Sequence, residues 1–423
     1  MVVAIHEYAL AIQDPAHCFQ HRRLQKGKTY MDDGWGLPQS WSGNFAVVFR
    51  VYVDTGKKRY DYAVRCFTRA VQNQGLRYER LHEYLRRLRR KGLAKYLVEF
   101  EYLSDGILVN GTWYPILIMK WVQGCTLDIA ISQAVEEDEL NQLDNWIKQW
   151  EDLMEHLSDA EIAHGDLQHG NIMIDQKGQL RLVDYDGIYI PDLAGYPPDE
   201  VGHANYQHPE RISNGYYAAN MDFFSALVIY LSLRAVRYDP AIWHDFHNDD
   251  MLIFERRDFE NPGATAIWRR LLQSNDRQVR NLTEWLREYC KRSVKELPMP
   301  NEILKLPPRP RPGDAWWKDH ISDGNGQTPG ATKGSRKRAA RKTSEHPSGT
   351  APAPQGTSTV VAAPPTHANP SQLGTSTSIT PGIDSGTQHA GQTPDQQESS
   401  SGSLAWAITG IIIYGIAKLL GLF

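Results

Sequence analysis

The stretch Ile162-Ala-His-Gly-Asp-Leu-Gln-His-Gly-Asn-Ile172, answered by Val183-Asp-Tyr-Asp-Gly187, constrains this chain more than any other feature. Asn171-Ile-Met-Ile-Asp175 and Gln179-Leu-Arg-Leu-Val-Asp184 are short strand-like runs joined through Gln176-Lys177-Gly178, which reads as a β-hairpin. Closing that hairpin sets Asn171 roughly opposite Asp184. Such a pair suits Mg2+, which takes one or two protein carboxylates and completes its shell with water and phosphate oxygens. Asp166, a few residues upstream, can accept the proton of an attacking hydroxyl.

Two shifts in composition divide the 423 residues. Residues 1–318 mix apolar, aromatic and charged positions, enough for a large globular core. Residues 319–402 are Ser, Thr, Pro, Gly, Gln and Ala with almost no large apolar residue, so they read as a disordered linker. Residues 404–423 are almost wholly apolar, about 30 Å long as a helix, and read as a transmembrane helix. Lys418, its one charge, lies near an end and can snorkel. The apolar run at Met1–Glu7 is too short for a signal peptide. The expected localisation is therefore the membrane, by a single-pass tail anchor with the preceding domain in the cytoplasm. Ser403, Ala407, Gly410, Tyr414, Ala417 and Gly421 form a mostly small-residue seam through which two such helices can pair as a homodimer. A net charge of −4 indicates no nucleic-acid partner. The four cysteines make no CxxC pair, so neither a zinc site nor a disulfide framework is indicated.

Within the first part, residues 45–54 and 59–68 read as strands joined by Thr55-Gly56-Lys57-Lys58. A basic helix follows over about 74–90. Residues 97–103, 107–110 and 113–121 return to strand character, punctuated by Ser104-Asp105-Gly106 and Asn110-Gly111. Leu140, Leu143, Ile147, Trp150, Met154 and Leu157 then recur at helical spacing and lead into the 162–172 motif. The remainder to about 295 reads as mostly helical. Residues 221–233 are too short an apolar run to span a bilayer, bounded as they are by Asp222 and Arg234, and read as a core helix.

On these motifs and this order, residues 1–318 resemble the protein kinase-like superfamily, and more narrowly a group of bacterial serine/threonine kinase-like proteins with HGDLQHGN and VDYDG motifs. The resemblance implies an α+β, two-lobed fold, with a five-stranded N-lobe at about 35–120 and a mainly helical C-lobe at about 121–300. It implies a serine/threonine protein kinase that transfers the ATP γ-phosphate to protein hydroxyls. Asp166 would be the base, and Asn171 and Asp184 the ligands of Mg2+ or Mn2+. Around ATP it implies Gly43 and Ala46 in the phosphate-covering loop and Arg65 as the phosphate anchor. Glu83 would be the helix-borne partner of Arg65, with Glu79 as the alternative. Met119 would stand at the gate of the adenine pocket, with Lys120 to Val122 as the hinge. His208-Pro209-Glu210 would close the activation segment, and Asp222 would bond the catalytic-loop backbone. The protein substrates are unidentified; Ser and Thr residues between 344 and 403 are candidates for autophosphorylation.

Four features depart from the family pattern. Arg65 stands where a lysine is expected; arginine keeps the charge but is not interchangeable with it. Gln168 replaces a catalytic-loop lysine, and His169 or an activation-segment residue would have to compensate. Gly165 replaces the arginine that often binds a phosphorylated activation loop, which predicts constitutive competence. Gly43 and Ala46 do not complete a G-x-G-x-x-G. These departures motivate an alternative, an ATP-binding pseudokinase acting as a membrane-tethered interaction module. The HGDL motif, shared with small-molecule phosphotransferases, motivates a third reading.

Overall fold

The computed structural model describes residues 3–309 apart from 33, 35, 44, 45, 70–72, 89–91 and 199. Nine strands and eleven α-helices occur among the described residues. Chain order begins with two short helices, α1 (Ile5–Ala11) and α2 (Pro15–Cys18). Six strands follow: β1 (Lys28–Thr29), β2 (Ser40–Ser42), β3 (Ala46–Asp54), β4 (Arg59–Phe67), β5 (Phe100–Val109) and β6 (Thr112–Lys120). Helix α3 (Gln74–Leu88) comes between β4 and β5.

The strands form one antiparallel sheet in the order β1-β3-β4-β6-β5, with β2 also on β3. The five-stranded expectation is corrected in two ways. Ser104-Asp105-Gly106 does not end a strand; the pairing with β6 shifts register between Leu103 and Ile107, and β5 runs on as one element. The strands β1 and β2, too short to show a period, were missed. Asn110 and Gly111, at φ 48° and 79°, make the tight β5–β6 turn that the Asn-Gly pair predicts.

Period-2 alternation gives this sheet two buried faces. Val47, Phe49 and Val51 of β3 and Ile116 and Ile118 of β6 pack against Tyr8, Ile12, Phe19 and Leu24. The N-terminal segment thus covers the outer face, and the Tyr8 hydroxyl fastens it by donating to the Phe67 carbonyl at 2.8 Å. The opposite face, with Ala46, Phe67, Leu117 and Met119, joins the main core.

The second lobe starts at β7 (Gly124–Thr126), α4 (Leu127–Glu136) and α5 (Asn141–Asp159). Leu143, Ile147, Trp150, Met154 and Leu157 form the buried stripe of α5, as the helical spacing predicts. The hairpin β8 (Ile172–Asp175) and β9 (Leu180–Leu182) pairs with β7 in a three-stranded sheet. Helices α6 (Pro209–Asn214), α7 (Phe223–Tyr238), α8 (Ala241–Phe246), α9 (Arg256–Glu260), α10 (Ala266–Leu272) and α11 (Arg277–Tyr289) complete it. Buried on nearly every side, α7 is the core helix expected, and the Trp150 indole of α5 donates to its Ala226 carbonyl at 3.2 Å.

Among the described residues no helix is long and apolar enough to cross a membrane. The tail-anchored localisation expected above is corrected on that finding. Residues 404–423, on which it rested, and the linker 319–402 lie outside the described residues.

Candidate active site

The β8–β9 hairpin does what its sequence requires. Ile172 pairs with Leu182, and the Val183 amide donates to the Asn171 carbonyl at 3.0 Å, so Asn171 and the chain entering Asp184 lie side by side. Asn171 Nδ2 donates to both the Asp166 carbonyl and Asp166 Oδ2, each at 2.9 Å. That leaves Asn171 Oδ1 as its acceptor for an incoming group. Asp166 Oδ1 takes the His203 amide at 2.7 Å. The loop is anchored from below by Asp222, whose Oδ1 accepts the Gly165 amide at 3.0 Å and whose Oδ2 accepts the His164 amide. Burial raises the Asp222 pKa, against the pull of His164, Arg211 and these two amides.

Arg65 of β4 reaches across to the second motif. Its Nη1 lies 2.6 Å from Asp184 Oδ1, and its Nη2 pairs with Asp186 Oδ2. Tyr78 of α3 donates its hydroxyl to Asp186 Oδ1. Burial alone would raise the Asp184 pKa, but the Arg65 guanidinium outweighs it and holds the carboxyl below its ordinary value. Asp184 itself sits at φ 63°, a left-handed conformation that costs a non-glycine residue about 1–2 kcal/mol and persists where the surroundings fix it. Glu83, expected to partner Arg65, does not: it is exposed on α3, as is Glu79. The α3 position that faces Arg65 is occupied by the Tyr78 ring, and the carboxylates come from the Asp184–Asp186 turn instead.

The departures acquire physical reasons. Gly165 is at φ 84°, and a Cβ there would lie 2.1 Å from the Gly187 carbonyl, so no side chain fits. Gln168 Oε1 accepts the Gly170 amide at 2.9 Å and caps the turn it belongs to. His169 does not replace the missing charge: it is buried, bonded to the Tyr206 hydroxyl at 2.6 Å, and burial lowers its pKa. Two residues went unnoticed in the sequence. Gly202, at φ 76°, lets the chain pass so close that a Cβ would stand 2.8 Å from Asp166 Oδ1. Glu200, whose Oε1 lies against Gly187, is raised to about 8 by burial and then by Asp184, Asp166 and Asp186. Neither lies in a motif; only the fold brings them to Asp166.

The nucleotide side is built from the sheet. Gly43 and Ala46 flank the turn from β2 to β3, whose tip at 44–45 lies outside the described residues; the Gly43 amide donates to the Ala46 carbonyl at 2.9 Å. Met119 is buried opposite Ala63. Lys120 and Trp121 use their amides on the Glu99 and Asp61 carbonyls, at 3.3 and 2.9 Å. Among the described residues no group of three or more His, Cys, Asp and Glu side chains could hold a metal alone. Asn171 and Asp184 offer two hard oxygens, which suits Mg2+ that arrives with phosphates of its own.

A protein kinase domain model matches residues 42–302. The chain belongs to the protein kinase family. It is 29% identical over 161 residues to the CBL-interacting serine/threonine-protein kinase 21 of Arabidopsis thaliana, covering 37% of each chain. To the CBL-interacting protein kinase 1 of Oryza sativa subsp. japonica it is 24% identical over 192 residues, 41% of this chain and 40% of that one. To the MAP kinase kinase skh1/pek1 of Schizosaccharomyces pombe it is 36% identical over 74 residues, 17% and 20% of the two chains. The chain thus spans two fifths or less of the length of these relatives.

In this kinase domain the segment after Asp186 is fastened to α3 by arginine side chains. Arg77 donates to the Pro197 carbonyl and to the Tyr217 hydroxyl, and Arg80 to the Asp192 carbonyl. Arg87 pairs with the Asp192 carboxylate, and the Arg80 guanidinium lies 5.2 Å from the Tyr196 ring centroid. The far end is held by Glu210, which accepts the Val294 amide at 2.7 Å and the Ser293 hydroxyl at 3.2 Å.

Proposed function

We propose that this chain is a serine/threonine protein kinase whose chemistry is carried by Asp166, Asn171 and Asp184. The observation that supports it most is the hydrogen-bonded Asp166–Asn171 pair at the mouth of the hairpin that delivers Asp184. Asp166 accepts the proton of a substrate hydroxyl; its two fixed bonds hold the carboxylate in one orientation and leave lone pairs for that third partner. Asn171 Oδ1 and Asp184 are the ligands for Mg2+ or Mn2+, which when bound with ATP supplies charge neutralisation of the phosphates. Arg65 reaches the phosphates from β4, with Gly43 and Ala46 bordering the loop above them. Val122 donates to the adenine past Met119, and the Lys120 carbonyl accepts from it. The stretch from Asp184 to Glu210 contains no Ser or Thr, and side chains tie Asp192 and Pro197 to α3 and Glu210 to Ser293-Val294, which suits a constitutively competent enzyme.

A second reading is supported by one feature. With Gln168 bonded to its own loop and His169 buried, no cation stands beside Asp166 from the catalytic loop, which suits an ATP-binding interaction module with slow or absent transfer. Calorimetric titration of the full chain with Mg-ATP, beside a phosphate-transfer assay on a panel of protein substrates, separates the two. The kinase reading expects binding and transfer, and the loss of transfer in Asp166→Ala with binding retained. Binding without transfer in the wild type would establish the second reading.

A further inference from the structure

We propose that Asp186, two residues past Asp184, is the carboxylate that positions Arg65 for nucleotide phosphate, in place of a glutamate on α3. The proposal rests on the protein kinase reading above.

The turn Asp184-Tyr185-Asp186 is built to present two acids to one side. The left-handed backbone at Asp184 turns the chain, and Tyr185 is drawn the other way into the core. The Tyr185 hydroxyl donates to the Leu182 carbonyl at 2.8 Å and accepts the Val98 amide at 2.7 Å. Its ring lies 5.6 Å from that of Phe100. With Tyr185 pinned, Asp184 and Asp186 both face Arg65. The guanidinium fork meets them with separate nitrogens, Nη1 on Asp184 and Nη2 on Asp186. A lysine ammonium has a single nitrogen and cannot span both in a plane, which accounts for arginine at position 65. When Asp184 serves elsewhere, Asp186 keeps Nη2 and leaves Nη1 for a phosphate oxygen. Helix α3 joins through Tyr78, whose hydroxyl donates to Asp186, so the helix sets Arg65 through a phenol and an aspartate. Glu83 and Glu79 are turned to solvent and take no part.

The test uses the full chain with Asp186→Asn, Tyr78→Phe, Glu83→Ala, Arg65→Ala and the double variant Arg65→Ala/Asp186→Asn. Two quantities are measured: the KM for ATP beside kcat in phosphoryl transfer, and the calorimetric affinity for ADP without divalent cation. Asp186→Asn is expected to raise KM and weaken ADP by about tenfold, and Tyr78→Phe by about threefold, as losses of bonds to a charged group. Glu83→Ala should stay within about twofold of wild type. The double variant should be no worse than Arg65→Ala, a non-additivity that a general loss of structure does not produce. Tyr78→Phe keeps the test decisive should Asp186→Asn fail to fold. A tenfold loss in Glu83→Ala, additive losses in the double variant, or Tyr78→Phe indistinguishable from wild type would overturn the proposal. If the wild type binds ADP but transfers no phosphate, the kinase reading fails, and the ADP ratios alone decide the role of Asp186.

Discussion

At the scale of single residues, the site is governed by which charges face each other in a partly dry space. Arg65 pairs with both Asp184 and Asp186, and its identity follows from having to meet both. Restoring the family's usual lysine by Arg65→Lys should therefore lower kcat/KM by about tenfold instead of raising it, measured in steady-state transfer. Activity equal to or above wild type would show that the fork is not needed. Glu200 carries a pH signature. Its folded pKa of about 8 lies above the ordinary 4.5, so across that window the folded protein holds a proton that the unfolded chain has lost. The associated stability is fully present below the lower value and is lost as pH rises through the upper one. Melting temperatures recorded from about pH 5 to about pH 9 should fall more steeply in the wild type than in Glu200→Gln. Parallel curves would contradict the assignment. Gly165 and Gly202 show why the HGDL departure and an unremarked loop glycine belong together: both are left-handed, and both allow backbone to lie against Asp166 or Gly187 where a Cβ would collide.

At the scale of elements, the hairpin and the helices of strong period were legible in the sequence, and the elements without a period were not. The alternation from Asn171 to Asp184 predicted β8 and β9, and the spacing from Leu143 to Leu157 predicted the buried face of α5. Strands β1 and β2 are too short to carry a pattern, and β5 runs through a polar triplet that reads as a turn because its register shift leaves those residues outside the regular ladder. The N-terminal helix α1 was missed because only Tyr8 of its seven residues is buried, which leaves no helical period; Tyr8 holds it against a sheet face assembled from distant strands. Tyr8→Phe leaves the Phe67 carbonyl without its donor and should lower unfolding stability by about 1–3 kcal/mol in chemical denaturation. Helix α7 makes the larger contribution. Leu231 is fully buried in it, and Leu231→Ala should cost about 2–5 kcal/mol by the same measurement. A loss under about 1 kcal/mol at Leu231 would mean that α7 is not the packed centre of its lobe. Glu83 is the instructive failure at this scale. The family resemblance implied a carboxylate on α3 for Arg65, but the face that Glu83 occupies is set by Tyr78 and Arg77, which are buried and turn Glu83 outward.

At the scale of the whole molecule, two lobes meet where the sheet delivers Arg65, the hairpin delivers Asp184 and the catalytic loop delivers Asp166 and Asn171. The three residues of the opening motifs could be read from the sequence because each lies at a fixed distance along one continuous hairpin and loop. Tyr78, Glu200 and Gly202 could not, since they come from separate stretches that only tertiary packing brings together; Asp186 stands in the second motif, but its partner Arg65 lies 121 residues away in sequence. The protein kinase assignment therefore rests on the part of the site that local sequence specifies, and the tuning of that site on the part that it does not. The most direct test of the central claim is mass-spectrometric counting of phosphoserine and phosphothreonine formed by the full chain with Mg-ATP, beside Asp166→Ala. The account predicts phosphorylated hydroxyls with the wild type and a loss of about a thousandfold or more in the variant. Equal yields from the two proteins, or none from the wild type, would contradict it.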